Sequence, residues 1–212
     1  MKNIIVRLAN GLGNQLFTYA AAFNLAKKNN ANLLIDDESG FYKRFKFELN
    51  NFKLTAKIAE NKFKYKGHIG RLKRKLLKKL KFLKKDLIFI EEKKLEDKFT
   101  MFDSSIFDIK IEHNAYVEGY FQSEKYFEHC SDAIRKEFRV KKLFYNNAKQ
   151  KIALYRNDIN TLVSIHIRRK GQRKGELWEE IHGIPSKTYY HNAMKYMMRK
   201  FDNLRFLVFS DD

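Results

Sequence analysis

The residues best suited to chemistry in this chain stand at the end of one apolar run. Residues 161–167 are rich in apolar and β-branched side chains, and His166, Arg168 and Arg169 close the run. Such a run is typical of a buried strand, and two guanidinium groups at its carboxyl end are costly to keep near a core unless they meet an anion. Arginine binds phosphate oxygens through a planar fork of donors, and open α/β sheets bind ligands at the carboxyl ends of their strands. The pattern therefore predicts a pocket for a phosphorylated ligand.

A second candidate is a glycine-containing turn near the amino terminus. The hydrophobic pattern around it predicts a strand at 4–8, a turn at 9–15, a helix at 16–28 and a strand at 31–35. In such a βαβ unit the free N–H groups at the helix start can meet an anion or a sugar hydroxyl. Gly11 and Gly13 lack the third glycine of the dinucleotide fingerprint. Two interpretations stay open: the turn binds a ligand, or it needs glycine only for a positive φ.

Composition limits the class of protein and of partner. The 212 residues are 44% hydrophobic, enough for one large domain or a domain and a half. Forty-four Lys and Arg against 25 Asp and Glu give a net charge of +19, which favours anionic partners, although a lysine-rich composition alone gives the same total. Cys130 is the single cysteine, so a disulfide or cysteine-based metal site within one chain is excluded. We see no signal peptide and no membrane-spanning run, and we expect a cytoplasmic protein. It would also be peripheral on the inner membrane face if the basic helix described next lies on lipid.

Two segments are rich in basic residues. Residues 62–85 carry twelve basic residues and no acidic one, with leucines at helical spacing. Such a helix either lies on an anionic membrane surface or packs its leucines on the core and shows its lysines to water. Residues 41–52 alternate aromatic and basic side chains, which could stack bases or pack their rings inward.

The remaining pattern alternates strands with helices, which indicates an α/β fold. Further strands are predicted at 87–90, 115–121 and 204–209, and further helices at 124–138, 141–155 and 187–201. Ser123 and Ser186 are predicted to cap the first and last of these helices. We place a domain boundary near residues 140–160, dividing the chain nominally into 1–150 and 151–212, within a polar region without a proline- or glycine-rich linker.

These segments together resemble the bacterial α-1,2-fucosyltransferases. The resemblance is carried by residues 9–20 (the glycine motif), 120–127, 166–169 (His-x-Arg-Arg), 189–190 and 209–212 (Phe-Ser-Asp-Asp). It implies an α/β, GT-B-like fold of two Rossmann-like domains. Residues 1–150 form the acceptor-side domain and residues 151–212 the start of the GDP-sugar-binding domain, which is expected to be truncated because family members continue past the last motif.

The resemblance also implies the reaction and its residues. The donor is GDP-fucose, the acceptor a hydroxyl of a galactose-containing, lipid-linked glycan, the linkage α-1,2 with inversion, and no metal or other cofactor is used. Arg168 is expected to meet the leaving phosphate, with help from Arg169, and His166 to contact the pyrophosphate or orient the site. The other expected substrate-binding residues are Gly11, Gly13, Asn14, Gln15, Ser210, Asp211 and Asp212.

The sequence departs from the family pattern in two places, and two other functions stay open. Lys170-Gly171 stands where the family has Gly-Asp, and Asn10 where it has its first glycine. The general base is not identifiable among Glu176, Glu179, Glu180 and His182. The alternatives to a fucosyltransferase are a basic nucleic-acid-binding protein and an inactive, truncated relative; under the leading hypothesis no nucleic acid is expected to bind.

Overall fold

The chain divides into two α/β units. The computed structural model describes residues 2–41, 45–80, 86–93, 101–156, 160–167 and 185–210. The first unit is residues 1–142 and the second residues 143–212. No helix in the described ranges is both long enough and apolar enough to cross a bilayer.

The first unit is built on a parallel sheet. Its described elements are β1 (Asn3–Arg7), α1 (Leu12–Lys28), β2 (Asn32–Asp36), β3 (Lys57–Ile58), α2 (Gly67–Lys79), β4 (Leu87–Glu91), β5 (Asn114–Glu118) and α3 (Ser131–Glu137). The strands lie in the order β3-β2-β1-β5-β4, and every described pairing is parallel. All the carboxyl ends therefore meet at one edge, where such sheets place their ligands.

The central strand β1 is covered on both faces. Ile4 and Val6 join the larger core cluster, whereas Ile5 points the other way, into a cluster with Tyr65 and Tyr116. All three aliphatic side chains are fully buried. Burial on both faces is why the run from Ile4 to Val6 shows no alternation between apolar and polar residues.

Glu137 ties three segments of the first unit together. Its carboxylate accepts hydrogen bonds from the Tyr19 hydroxyl on α1 (2.5 Å), and from the backbone N–H (2.8 Å) and hydroxyl (2.7 Å) of Thr55. Burial, reinforced by Glu137, raises the pKa of Tyr19 above its usual range, so that hydroxyl keeps its proton and donates. A buried, hydrogen-bonded carboxylate thereby holds α1, α3 and the loop before β3 in one arrangement.

The prediction of a continuous helix over 124–138 is wrong for residues 124–130. Short 3-10 turns occupy Glu124–Tyr126 and Glu128–Cys130, and the α-helix begins only at Ser131. The Ser123 side chain makes no capping bond. The carbonyl of Tyr126 accepts from the Asn24 side chain at 2.8 Å, so a contact from α1 replaces the intrahelical bond that a continuous helix needs at this point.

The second unit contains one described pair of parallel strands. Its elements are α4 (Lys142–Ala153), β6 (Thr161–Ile167), α5 (Lys187–Lys200) and β7 (Leu204–Ser210). Ser186 caps α5 as predicted, its hydroxyl accepting from the Tyr189 N–H at 3.1 Å. The division between units falls at the first residue of α4; the boundary predicted near residues 140–160 stays a prediction.

Glu137→Ala tests the buried carboxylate. We expect the free energy of unfolding to fall by about 3 kcal/mol, because the Thr55 N–H and the Tyr19 hydroxyl lose a charged acceptor while buried. Asp132→Ala is the matched control, since that side chain lies on the same helix and is 91% exposed; it should change stability by less than about 0.5 kcal/mol. Urea unfolding followed by circular dichroism measures both variants. Equal unfolding midpoints for Glu137→Ala and Asp132→Ala would show that the buried carboxylate does not stabilise the unit.

Candidate active site

In the first unit, the carboxyl end of β1 leads into the open start of α1. Gly11 precedes the helix with φ −73°, no side chain caps the helix start, and no acidic residue lies in the first turn. The first backbone N–H groups of a helix have no intrahelical acceptors. A helix start of this kind can bind an anion or a sugar hydroxyl.

The glycines of this turn are not needed for the backbone. Neither Gly11 nor Gly13 is among the described residues with positive φ; Asn10 is, at 61°. An added Cβ would meet only Phe45 at 3.8 Å from Gly11, and no atom within 4 Å from Gly13. The interpretation that these glycines serve a positive φ is therefore wrong, and the space over them stays available for close approach of a ligand. Asn10 explains one departure from the family pattern, because asparagine tolerates the left-handed region.

Gln15 is used inside the protein. It is fully buried, and its amide nitrogen donates to the carbonyls of Asn10 (2.8 Å) and Lys46 (2.9 Å), while its oxygen accepts from the Glu48 N–H at 3.0 Å. These bonds engage both N–H donors and the carbonyl oxygen of the side chain. Gln15 holds the segment before residue 49 against the glycine turn; its predicted contact with the donor sugar stays a prediction.

The loop after β5 lies beside the same helix start. The Gln122 amide donates to Asn14 Oδ1 at 2.5 Å, and the Thr18 hydroxyl lies 3.0 Å from the Gly119 carbonyl oxygen. Asn14 is half-buried and Gln122 exposed. Two amide side chains thus meet at the accessible edge of the sheet, and Gln122 joins the predicted Asn14 as a candidate for substrate contact.

A buried carboxylate fixes this loop in an unusual conformation. Phe121 has φ 49° although it is not glycine, and its ring is fully buried. Glu92 Oε2 accepts from the N–H groups of Tyr120 (2.7 Å) and Phe121 (2.9 Å). Left-handed backbone at a bulky residue is sparsely populated and persists only where the surroundings impose it. Sequence reasoning missed Glu92 because no pattern of neighbouring residues indicates that its carboxylate accepts hydrogen bonds from a loop almost thirty residues later.

In the second unit, two predicted motifs lie at the same end of adjacent strands. Ile167 at the end of β6 pairs with Ser210 at the end of β7, and His166 pairs with Phe209. The His166 side chain is exposed, and its backbone carbonyl lies 3.5 Å from the Tyr190 hydroxyl. The pairing register therefore brings together two sequence motifs that are far apart along the chain.

Several predicted site residues lie outside the described ranges. Arg168 and Arg169 follow β6 directly in sequence, and Asp211 and Asp212 follow β7. The candidate bases Glu176, Glu179, Glu180 and His182 also lie outside. Their roles stay predictions. Among the described residues no group of three or more His, Cys, Asp or Glu is arranged to hold a metal ion.

An α/β chain whose parallel strands end in a glycine turn and in a His-x-Arg-Arg motif has the features of a GT-B-like glycosyltransferase. Residues 2–212 match the family Glycosyl transferase family 11. The chain belongs to this family, and it is therefore a glycosyltransferase.

Relatives and solved structures agree with this assignment. The alpha-1,2-colitosyltransferase of Escherichia coli is 29% identical over 216 residues, which span 100% of this chain and 70% of the relative. The O-antigen biosynthesis glycosyltransferase WbnK of Escherichia coli is 28% identical, over 97% of this chain and 71% of the relative. The crystal structure of fucosyltransferase NodZ from Bradyrhizobium superposes with a TM-score of 0.50 at 12% identity, covering 99% of this chain and 72% of that one. The last likeness bears on the fold alone, and the predicted α/β, GT-B-like class is confirmed.

Gly13→Ala separates a ligand-binding glycine from a structural one. Because the added methyl group meets no described atom, we expect stability to be unchanged or to rise by up to about 1 kcal/mol. We expect kcat/KM for sugar transfer to fall by about tenfold or more, because the methyl group displaces a substrate that packs on the turn.

Gly40→Ala is the control for this substitution. Its Cβ would stand 1.8 Å from the Leu8 carbonyl oxygen, so stability and activity should fall together. Thermal unfolding and initial-rate assays on both variants make the comparison, and full activity in Gly13→Ala would exclude close approach of substrate to the turn.

Proposed function

We propose that this protein transfers fucose from GDP-fucose to a galactose hydroxyl of a bacterial surface glycan, forming an α-1,2 linkage with inversion and without a metal. The observation that carries the proposal is the register of β6 and β7, in which Ile167 pairs with Ser210. It sets the ends of the two strands side by side, and the His-x-Arg-Arg and Phe-Ser-Asp-Asp motifs are located there in sequence. The family assignment supports the same reaction class.

The second unit supplies the groups that suit a nucleoside diphosphate. As GDP leaves the sugar, negative charge grows on the diphosphate while the sugar gains oxocarbenium character. In the proposed reaction Arg168 meets the departing phosphate and Arg169 a neighbouring oxygen. Arginine donors preorganised in a site of low water content stabilise such charge strongly. His166 contacts the pyrophosphate or orients the arginines, and Ser210, Asp211 and Asp212 shape the nucleotide site.

The first unit supplies groups that suit sugar hydroxyls. The open N–H groups at the start of α1 and the Asn14–Gln122 amide pair offer donors and acceptors at one accessible edge. Gln15 and Glu92 are buried behind that edge and hold its two loops. We assign Gly11, Gly13 and Asn14 to substrate contact, and Gln15 to positioning the turn that carries them.

The identity of the transferred sugar and of the acceptor is proposed from the relatives. A relative is described as an alpha-1,2-colitosyltransferase, and a similar structure is that of an alpha-1,6-fucosyltransferase soaked with GDP-fucose. A second relative takes part in O-antigen biosynthesis, which supports a lipid-linked polysaccharide precursor as acceptor. Initial rates with GDP-fucose and with the colitose analogue of the same donor, on one galactoside, decide between the two sugars.

The structure weighs against the nucleic-acid alternative at the aromatic segment. Phe41, Phe47 and Phe52 pack against the core, so these three rings are not displayed for stacking on bases. Phe45 is more accessible than these three rings, with 38% of its surface exposed.

Binding of GDP tests the proposed nucleotide site directly. GDP at about a hundred times its Kd should stabilise the native chain by about 2.7 kcal/mol, which raises the thermal midpoint by several degrees. In Arg168→Ala we expect this rise to disappear and the transfer rate to fall by about a hundredfold or more, because a donor to the leaving phosphate is lost.

Arg199→Ala is the matched control for this test. It removes an exposed arginine from the last turn of α5 and should keep both the GDP response and the activity. A wild-type chain that GDP does not stabilise, or an Arg168→Ala variant that responds fully, would contradict the assignment of Arg168.

A further inference from the structure

Two of the cationic side chains of helix α2 point toward the protein. Arg74 and Lys78 have side chains only 11% and 19% exposed, and both form salt bridges with Glu118 at the end of β5; Lys78 also pairs with Glu91. Leu77 packs beside them against the smaller core cluster. The interpretation that this segment packs its leucines on the core and shows its basic residues to water therefore fails at Arg74 and Lys78, which face inward, although it holds for Leu77.

This orientation of α2 is fixed by backbone contact. A Cβ added at Gly70 would stand 2.3 Å from the carbonyl carbon of Tyr65, so the helix surface lies directly on the preceding chain. Gly67, the first residue of the helix, has φ 61°, a value that glycine adopts without strain. The face opposite Gly70 therefore points to solvent.

The outward face of α2 carries an aliphatic stripe. Ile69, Leu72 and Leu76 follow one another at spacings of three and four and are 85%, 70% and 55% exposed, so they form one row on the helix. Contiguous aliphatic side chains in this position mark an interaction surface more often than scattered exposed residues do.

The stripe is bordered by cations on both sides. At 100° per residue, Lys75 and Lys79 lie on one flank of the stripe and Lys73 on the other, and all three side chains are exposed. No acidic residue occurs anywhere between residues 62 and 85. A surface that covers the stripe must therefore accept aliphatic side chains at its centre and lysines at its rim.

We propose that the outward face of α2, formed by Ile69, Leu72, Leu76 and the flanking lysines, docks on an anionic lipid surface. An interfacial helix buries such a stripe at the boundary between headgroups and acyl chains while its cations meet lipid phosphates, and each lysine near an anionic membrane strengthens binding by about fivefold. A second copy of the chain would bring the same lysines against these. A nucleic acid would pair with the lysines but leave the aliphatic stripe in water.

Co-sedimentation of the full chain with vesicles tests this docking surface. The chain should bind vesicles made of phosphatidylcholine and phosphatidylglycerol in equal parts, and bind pure phosphatidylcholine vesicles far more weakly. The double variant Leu72→Ser/Leu76→Ser should lower the partition coefficient by about tenfold or more, because the stripe no longer enters the lipid. Lys73→Glu/Lys79→Glu should lower it by at least as much on the mixed vesicles.

Lys149→Glu/Lys151→Glu supplies the matched charge control. These lysines are exposed on α4, so the variant changes net charge as much as the α2 pair does and should retain most vesicle binding. All substituted side chains are exposed, and an unchanged thermal midpoint with an unchanged GDP response shows that fold and nucleotide site are intact. The docking result is thereby independent of the proposed reaction.

Three results would overturn the docking surface. One is vesicle binding by the serine variant equal to that of the unmodified chain. Another is loss of binding in the α4 control to the same extent as in the α2 charge variant, which would indicate an effect of net charge alone. The third is evidence for another partner of this face. Such evidence would be retention of the chain on duplex RNA without vesicle binding, or a dimer in light scattering that the serine variant dissociates.

Discussion

The first unit depends on how the buried carboxylate of Glu118 is neutralised. It ends β5 with a side chain 8% exposed, and it receives Arg7 from β1 together with Arg74 and Lys78 from α2. A buried carboxylate without partners would cost several kcal/mol, so α2 must present its cations inward. The same requirement leaves the aliphatic side of α2 facing solvent. One ion-pair cluster thus aligns two strand ends and creates the surface that we assign to lipid.

The two loops beside the start of α1, which we propose contact substrate, follow a similar principle. Gln15 and Glu92 are buried polar side chains that bond to backbone groups of the loops beside them, and they hold the glycine turn and the Phe121 loop in place. Rigid support of this kind is what positions weak donors such as backbone N–H groups. In the second unit, the parallel register of β6 and β7 brings together the ends of the two strands at which we propose that the nucleotide binds.

Local patterns predicted the elements, and long-range contacts determined the details that the sequence did not reveal. The first strand, the helix over residues 16–28 and the Ser186 cap follow from periodicity and cap chemistry, and they are confirmed. Helix α1 begins earlier than predicted, at Leu12, so residues 12–15 of the predicted turn are helical. The break near Tyr126 depends on Asn24, a residue of α1, and the inward rotation of α2 depends on Glu118. No window of neighbouring residues contains either contact. The roles of Arg168, Arg169, Asp211 and Asp212 come from the family resemblance and stay predictions.

The central claim is that a guanosine diphosphate binds at the paired carboxyl ends of β6 and β7. Amide hydrogen exchange on the full chain, with and without GDP, tests it most directly because it reports on each segment separately. We predict slower exchange on GDP binding in peptides covering residues 165–171 and 208–212, with no change in α2 or α4. Protection confined to other segments, or no protection at a GDP concentration that stabilises the protein, would contradict the claim.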